Sequence, residues 1–274
     1  MTFKQPLLIN LSLPKCGSTS INDYCKNINS RHEAWHSGVT ETYLKVLNNN
    51  YPKETFLKYL LFRQIALELD IDAATFHHFY AEDIINLFPD SSYIYIYRDP
   101  LSWILSMLNM WAYFNDYHFL VLQYGNEREK IKNKKWINWI NSYAKIYSKS
   151  LNTFKVKNYS NQCQDLGLEF LTNDLLDFWS KTSKEIIKIK RKDGKKLNIF
   201  NLCRDSEIKS FIDNLLNNKN INDIQKFPKS NAMKVINRKK NKPYFIKSQI
   251  NKFISQDKFD KNNKILKELN FLRI

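Results

Sequence analysis

The sequence predicts an α/β fold of three layers, in which a mostly parallel central sheet is flanked by helices. Two short apolar runs, at residues 7–13 and 93–97, predict buried strands, and a helical pattern follows each run directly. A further apolar run at 197–203 precedes a predicted helix at 205–216. Strands that alternate with helices are typical of parallel sheets, because each parallel connection needs a crossover, usually a helix.

The N-terminal part supplies most of the predicted elements. The run at 7–13 is continuous and apolar, as expected for a strand buried on both faces. The helix after it is predicted at 18–28, capped by Ser18 or a neighbouring residue. The next predictions are a polar strand end or loop at 31–36, helices at 40–48 and 53–69, a strand at 73–79, and a helix at 81–88 that Pro89 ends.

Residues 93–97, YIYIY, form the clearest predicted strand, because aromatic and β-branched residues favour the pleated surface. Asp99-Pro100 ends this strand, and Pro100 suits the first turn of a helix predicted at about 100–114. Beyond it we expect helices over about 128–190. The Lys/Asn-rich tail is predicted to end in an amphipathic segment near 259–272.

The chain of 274 residues is long enough for a single domain with one sizeable core. We expect that core to comprise about 5–115 and 195–274, with a helical part at about 116–194. The apolar stretches are too short to span a bilayer, and none has the pattern of a signal peptide. Reduced thiols and a cytoplasmic location are expected, because zinc or disulfide spacing is lacking among the four cysteines, Cys16, Cys25, Cys163 and Cys203.

The formal net charge of +16 invites a nucleic-acid interpretation. The lysines, however, are spread over the last two-thirds of the chain together with many Asn and Ile residues, and no nucleic-acid-binding module accompanies them. Nucleic acid is therefore not the favoured partner. A basic surface also attracts anionic small molecules and acidic glycans.

The first candidate site is the stretch LPKCGSTSI between the first predicted strand and its helix. Gly17 allows close backbone approach, the hydroxyls that follow add donors, and Lys15 supplies a full charge, so the loop is suited to a phosphate. A strand-to-helix turn capped by serines is the alternative. Because Lys15 precedes the glycine, the stretch is not the nucleoside-triphosphate loop G-x-x-x-x-G-K-[ST].

The second candidate site is the stretch RDPLSWILS after the strand at 93–97. Arg98 leaves the strand end, where ligands bind in open α/β sheets, and Ser106 lies two turns into the next helix. Together they are placed to hold a second phosphate, with Arg98 in fork geometry. The alternative is an Arg98–Asp99 ion pair and a serine exposed on the helix.

These two stretches together resemble the sulfotransferase family that uses 3′-phosphoadenosine 5′-phosphosulfate (PAPS), of the small bacterial type with a P-loop-like fold. The resemblance covers about residues 7–115, and Ser18 stands where the family usually has Thr. It implies that Arg98 and Ser106 bind the 3′-phosphate of PAPS. The 5′-phosphosulfate end would be bound by Lys15, Cys16, Gly17, Ser18, Thr19 and Ser20. The basic run Arg238, Lys239 and Lys240 is a weaker match to the arm that closes on the nucleotide.

The resemblance also implies an in-line sulfuryl transfer without a metal. Lys15 would stabilise the departing phosphate, and a general base would take the acceptor's proton. The segment RHEAWH resembles the HE element that follows the first helix in small bacterial members. We favour Glu33 as the base, then His32, then His36; the alternative is that both histidines are ordinary loop residues. His77 and His78, on the predicted strand 73–79, would point to opposite faces, one packed and one exposed.

The acceptor is expected to offer a hydroxyl or an amine, and the helical part at about 116–194 would form its site. A carbohydrate or a small metabolite is favoured, and the basic composition points to an anionic one. Two other functions stay open: a kinase-like nucleotide-binding protein, and a non-catalytic basic module on the same fold that binds glycan or nucleic acid. Kinase chemistry is disfavoured because the lysine of the triphosphate loop is missing.

Overall fold

The computed structural model describes residues 3–148, 167–192, 196–217 and 244–273. Its centre is a five-stranded sheet in which all strands are parallel, in the order β2-β3-β1-β4-β5. The predicted α/β class is therefore confirmed. The strands are β1 (Leu8–Asn10), β2 (Ser30–Arg31), β3 (Ile71–Asp72), β4 (Ser92–Tyr97) and β5 (Leu197–Asn201).

Helices provide the connections between the strands and the rest of the described chain. A 3₁₀ helix at Phe76–Tyr80 precedes the fourth α-helix. The α-helices are α1 (Ser18–Tyr24), α2 (His36–Leu47), α3 (Lys53–Leu67), α4 (Ala81–Leu87), α5 (Pro100–Tyr124), α6 (Glu127–Tyr147), α7 (Leu168–Lys192), α8 (Asp205–Asn217), α9 (Lys247–Asn251) and α10 (Gln256–Phe271). No helix of the described residues is long and apolar enough to cross a bilayer.

The sheet separates two apolar cores, because successive side chains of a strand point to opposite faces. Ile94 and Ile96 of β4 belong to a smaller core, which α1 and α8 cover. The three tyrosines of β4 face the larger core, which most of the remaining helices cover. Each tyrosine hydroxyl is anchored to a different element: Tyr93 to Phe88 O (2.6 Å), Tyr95 to Ser183 Oγ (3.2 Å) and Tyr97 to Asn270 Oδ1 (2.5 Å).

The prediction of a strand at 73–79 is wrong. β3 ends at Asp72, because side chains take over the hydrogen bonds that a ladder would need: Asn10 Nδ2 donates to Ala74 O (3.2 Å), and the Asp72 carboxylate accepts from Ala74 N. His77 and His78 follow on the 3₁₀ helix, and both are buried. The expectation that one of the two would be exposed is therefore also wrong.

Element bounds differ elsewhere by a few residues. β1 covers a shorter stretch than the predicted 7–13, and α1 ends four residues before the predicted 28. α5 extends well past the predicted end at 114, because neither Gly nor Pro interrupts it before Gly125, its C-terminal cap. Residues outside the described ranges include Cys163, Arg238, Lys239 and Lys240; of the other cysteines, Cys16 and Cys25 are buried free thiols and Cys203 is an exposed one.

Candidate active site

The candidate site lies at the carboxyl edge of the sheet, where all five parallel strands end. The strand order places the chain's reversal of direction at β1: β3 and β2 lie on one side of it, and β4 and β5 on the other. In open α/β sheets the crevice for a ligand forms at this switch point. The loop after β1 and Arg98 after β4 flank it directly, since β1 and β4 are neighbours.

The loop after β1 is held rigidly against β4 and α5. Ser12 Oγ accepts a hydrogen bond from Ile96 N (2.6 Å), and the Trp103 indole donates to Pro14 O (2.8 Å). Lys15 has φ 64° and Gly17 φ 93°, so the backbone turns through the left-handed region at both positions. At Gly17 a Cβ atom would come within 3.0 Å of Leu202 Cδ1, so a larger residue would be strained and would crowd the end of β5.

The side chains of this loop divide into buried and accessible ones. Gly17 is the N-cap residue of α1 and no side chain caps the helix, so the cap falls on the neighbour of Ser18 and not on Ser18 itself. Ser18 Oγ instead lies 3.1 Å from His32 Nε2. Cys16 belongs to the core, so a role for it in donor binding would fall to its backbone. Ser20 is buried as well, whereas Thr19 is exposed.

Two cations meet at the switch point. Burial lowers the pKa of Lys15, and the nearby Arg98 guanidinium lowers it further. Burial raises the pKa of Cys16 to about 12, with Lys15 and Arg98 opposing the rise, so the thiol is a neutral core group. Neither Lys15 nor Arg98 makes an ion pair with a described residue. Like charges held together without a counter-ion make a site for an anion.

Asp99 does not neutralise Arg98, because it has another role. Asp99 caps α5, and its Oδ1 accepts a hydrogen bond from Ser102 N at 3.0 Å. The alternative of an Arg98–Asp99 pair is thus absent among the described ion pairs. Ser106 is half-buried on the same helix, about 9 Å along its axis from Pro100.

His32 and Glu33, directly after β2, lie close to the loop after β1. His32 Nε2 lies 3.1 Å from Ser18 Oγ and 3.5 Å from Thr19 Oγ1. The same nitrogen lies 3.7 Å from Glu33 Oε1. Both side chains keep some exposure, with 31% for His32 and 17% for Glu33. The structure therefore brings two of the predicted base candidates next to the predicted donor loop.

Hydrogen bonds from Thr75 hold the Glu33 carboxylate in place. Its Oε1 accepts hydrogen bonds from Thr75 N (2.9 Å) and from Thr75 Oγ1. Thr75 Oγ1 contacts the Tyr143 hydroxyl at 3.2 Å, and Tyr147 donates to Tyr143 at 3.1 Å. Since the Thr75 proton is donated to the carboxylate, Tyr143 donates to Thr75, and all three hydroxyl protons point toward Glu33.

His36, the third base candidate, is placed differently. It is the first residue of α2, where its Nδ1 contacts Glu33 O at 2.9 Å. Its ring packs on Trp139 of α6, with the ring centroids 4.2 Å apart. These contacts fasten the start of α2 to Glu33 and to α6, so His36 has a structural role.

A buried ionic cluster, which sequence reasoning missed, supports this segment. Arg63 donates to Asp72 Oδ1 (3.1 Å) and to Ala34 O (2.8 Å), and His77 Nε2 lies 3.0 Å from Asp72 Oδ2. Burial alone would raise the pKa of Asp72, but Arg63 and His77 hold it well below its ordinary value. A sequence signal did exist: Arg63 interrupts an apolar helical stripe. Among the described residues no cluster of His, Cys, Asp and Glu could hold a metal ion.

Comparison with known proteins identifies the family of the chain. A family model described as a sulfotransferase domain matches residues 7–198, which is more than half of the chain. The chain therefore belongs to the sulfotransferase domain family, and the predicted family is confirmed. The matched residues include β1 to β4, the loop after β1, residues 31–36 and Arg98. No curated protein matches the chain significantly.

Proposed function

We propose that the protein transfers the sulfuryl group of PAPS to a hydroxyl or amine of an acceptor, with a carbohydrate or small metabolite as the favoured class. One observation carries the proposal: the charges of Lys15 and Arg98 act on each other at the switch point, and neither has an ion-pair partner in the described part of the chain. A ligand with phosphate groups supplies the missing negative charge. A single nucleotide with two separated phosphates matches a site flanked by two strand exits.

In this proposal each residue at the two strand exits has one task. Lys15, the Gly17 backbone and the hydroxyls of Ser18, Thr19 and Ser20 hold the 5′-phosphosulfate. Arg98 and Ser106 hold the 3′-phosphate. When the sulfuryl group leaves, negative charge grows on the bridging oxygen, and Lys15 neutralises it. Preorganised charge and in-line alignment then provide the rate enhancement, as in phosphoryl transfer.

The proton of the acceptor goes to the His32–Glu33 pair, and we place the accepting atom on His32. Glu33 Oε1 already accepts two hydrogen bonds from Thr75, so the lone pairs of this oxygen are occupied. His32 Nε2 instead faces the loop hydroxyls at 3.1 and 3.5 Å. The neighbouring carboxylate then stabilises the imidazolium that forms. This order reverses the preference for Glu33 that the sequence alone suggests.

Donor binding is the first test. Calorimetric titration with 3′-phosphoadenosine 5′-phosphate (PAP) should show tight binding, whereas ATP should bind at least about tenfold more weakly because it lacks the 3′-phosphate. Arg98→Gln should weaken PAP binding about tenfold to a hundredfold, the effect of one charged hydrogen-bond donor. The matched control is Arg128→Gln, an exposed arginine on α6. Equal binding of PAP and ATP would favour the kinase-like alternative.

Transfer and base assignment need a second test. Radiolabelled PAPS incubated with pooled cell extract should label an acceptor, which then serves as substrate. With it, His32→Ala should lose about 10²-fold or more in kcat and regain activity with added imidazole. Glu33→Gln should lose activity without such rescue. Rescue of neither variant, or full activity of His32→Ala, would contradict the role given to His32.

A further inference from the structure

The far end of the α5–α6 hairpin differs from the rest of the molecule in what it exposes. α5 has 25 residues, so it extends about 37 Å from the sheet edge. Its first half is buried in the core, whereas its last third exposes Tyr124 (75%) and Leu120 (55%), and α6 exposes Ile131 (62%) just beyond the turn. We call residues 117–136 the hairpin tip.

The exposed groups of the tip form a patch with a cleft beside it. Tyr117, Leu120 and Tyr124 recur at helical spacing and so share one face of α5. Next to this face, α5 and α6 enclose a cleft of about 300 Å³. The cleft is lined by Tyr117, Val121, Glu129, Lys132, Asn133 and Trp136. Large apolar side chains cost free energy when water surrounds them, so a concave patch of this kind marks an interaction surface.

Most charges of the hairpin tip are positive, and most of these cations are exposed. Its two glutamates have local partners: Glu127 pairs with Lys130 at 3.1 Å, and Glu129 closes the capping box of α6. Four exposed cations make no ion pair with the described residues, namely Arg128, Lys132, Lys134 and Lys135. The tip therefore combines exposed Leu, Ile and Tyr side chains with unneutralised positive charge.

This combination fits a lipid surface better than a protein partner. Lysine is depleted in protein–protein interfaces, whereas Tyr, Trp and Lys are typical of side chains at the level of lipid headgroups. We propose that the hairpin tip binds anionic membrane surfaces. Tyr124 and Leu120 insert among the headgroups, and Lys132, Lys134 and Lys135 contact lipid phosphates. The proposed donor site does not contact the membrane, because the length of α5 separates it from the hairpin tip.

The test uses the full chain and two kinds of vesicle. Co-sedimentation should be strong with phosphatidylcholine vesicles that contain phosphatidylserine, weak with phosphatidylcholine alone, and reduced by added salt. Leu120→Ser with Tyr124→Ser should reduce binding about tenfold or more. Lys134→Gln and Lys135→Gln should each reduce it about fivefold.

Matched controls remove equivalent groups elsewhere. Phe62→Ser changes a side chain of α3 that is 60% exposed, and Lys261→Gln changes an exposed lysine of α10. Both should leave vesicle binding unchanged, and all variants should keep the PAP affinity of the wild type, which separates this proposal from the proposed activity. Failure to bind either vesicle, or tip variants that bind as the controls do, would overturn it. Self-association that the tip variants abolish, without vesicle binding, would assign the patch to a second copy instead.

Discussion

The two sides of the switch point differ in whether their charged side chains are paired. At the exits of β1 and β4, Lys15 and Arg98 lie together and make no ion pair with a described residue. At the exit of β3, Arg63 and Asp72 form an ion pair and His77 contacts the same carboxylate, with all three almost fully buried. A buried charge without a counter-ion is destabilising until an anionic ligand binds beside it. A cluster whose charges are already paired does not attract a charged ligand. The first side is therefore suited to binding and the second to positioning.

Removing the buried cation should have the largest effect on stability. Arg63→Met should lower the free energy of unfolding by about 3–5 kcal/mol, because it leaves the buried Asp72 carboxylate without the guanidinium. Urea denaturation provides the measurement. Lys58→Met, an exposed position on the same helix, should change it by less than about 0.5 kcal/mol. If both variants unfold alike, the cluster does not have the supporting role given to it.

Removing the loop cation should reduce the rate without a loss of stability. Lys15→Ala should reduce sulfuryl transfer about 10²–10³-fold, the effect of losing one preorganised charge. Its urea midpoint should not fall, because burial and Arg98 both disfavour the charged form of Lys15 in the folded protein. Label transfer from PAPS at saturating acceptor measures it, and Lys26→Ala, exposed just after α1, is the control. A variant that folds and retains full turnover would show that Lys15 takes no part in the chemistry.

Acid should lower the free energy of unfolding by a smaller amount, through His78 on the 3₁₀ helix after β3. Burial lowers the pKa of His78 to about 3, so the folded protein keeps it neutral. Below pH about 6.5 the unfolded chain binds a proton there and the folded chain does not, so the free energy of unfolding falls with pH. The loss should reach about 2 kcal/mol at pH 5. Denaturation of wild type and His78→Gln at pH 7 and 5 measures it; parallel losses would mean that other groups cause the acid sensitivity.

The parts of the fold that the sequence predicted are those that local chemistry determines. The alternation in YIYIY identified β4, and its two faces now belong to two cores. The loop after β1 and the Arg98 exit were found because short motifs adjoin their strands. The prediction of a strand at 73–79 was wrong because the backbone of Ala74 bonds to the side chains of Asn10 and Asp72 and not to a neighbouring strand. Asn10 is distant in sequence, so no local pattern indicates this.

The candidate site was predictable only in its list of residues. That His32 faces Ser18 while Glu33 is clamped by Thr75 depends on the packing of β2, β3 and α6, which no local pattern specifies. The Arg63–Asp72 pair joins a helix to the next strand, and its partner Ala34 lies far upstream. Such pairings arise from tertiary packing, which the local sequence does not specify.

The hydroxyl of Tyr97 connects the last described helix to the strand that precedes Arg98. Asn270 near the end of α10 holds the final residue of β4, and Arg98 is the next residue along the chain. A displacement of α10 would therefore reach Arg98 through one phenol. A fluorophore attached beside α10 is expected to report ligand binding at Arg98, and immobilising the protein through that helix would weaken this binding.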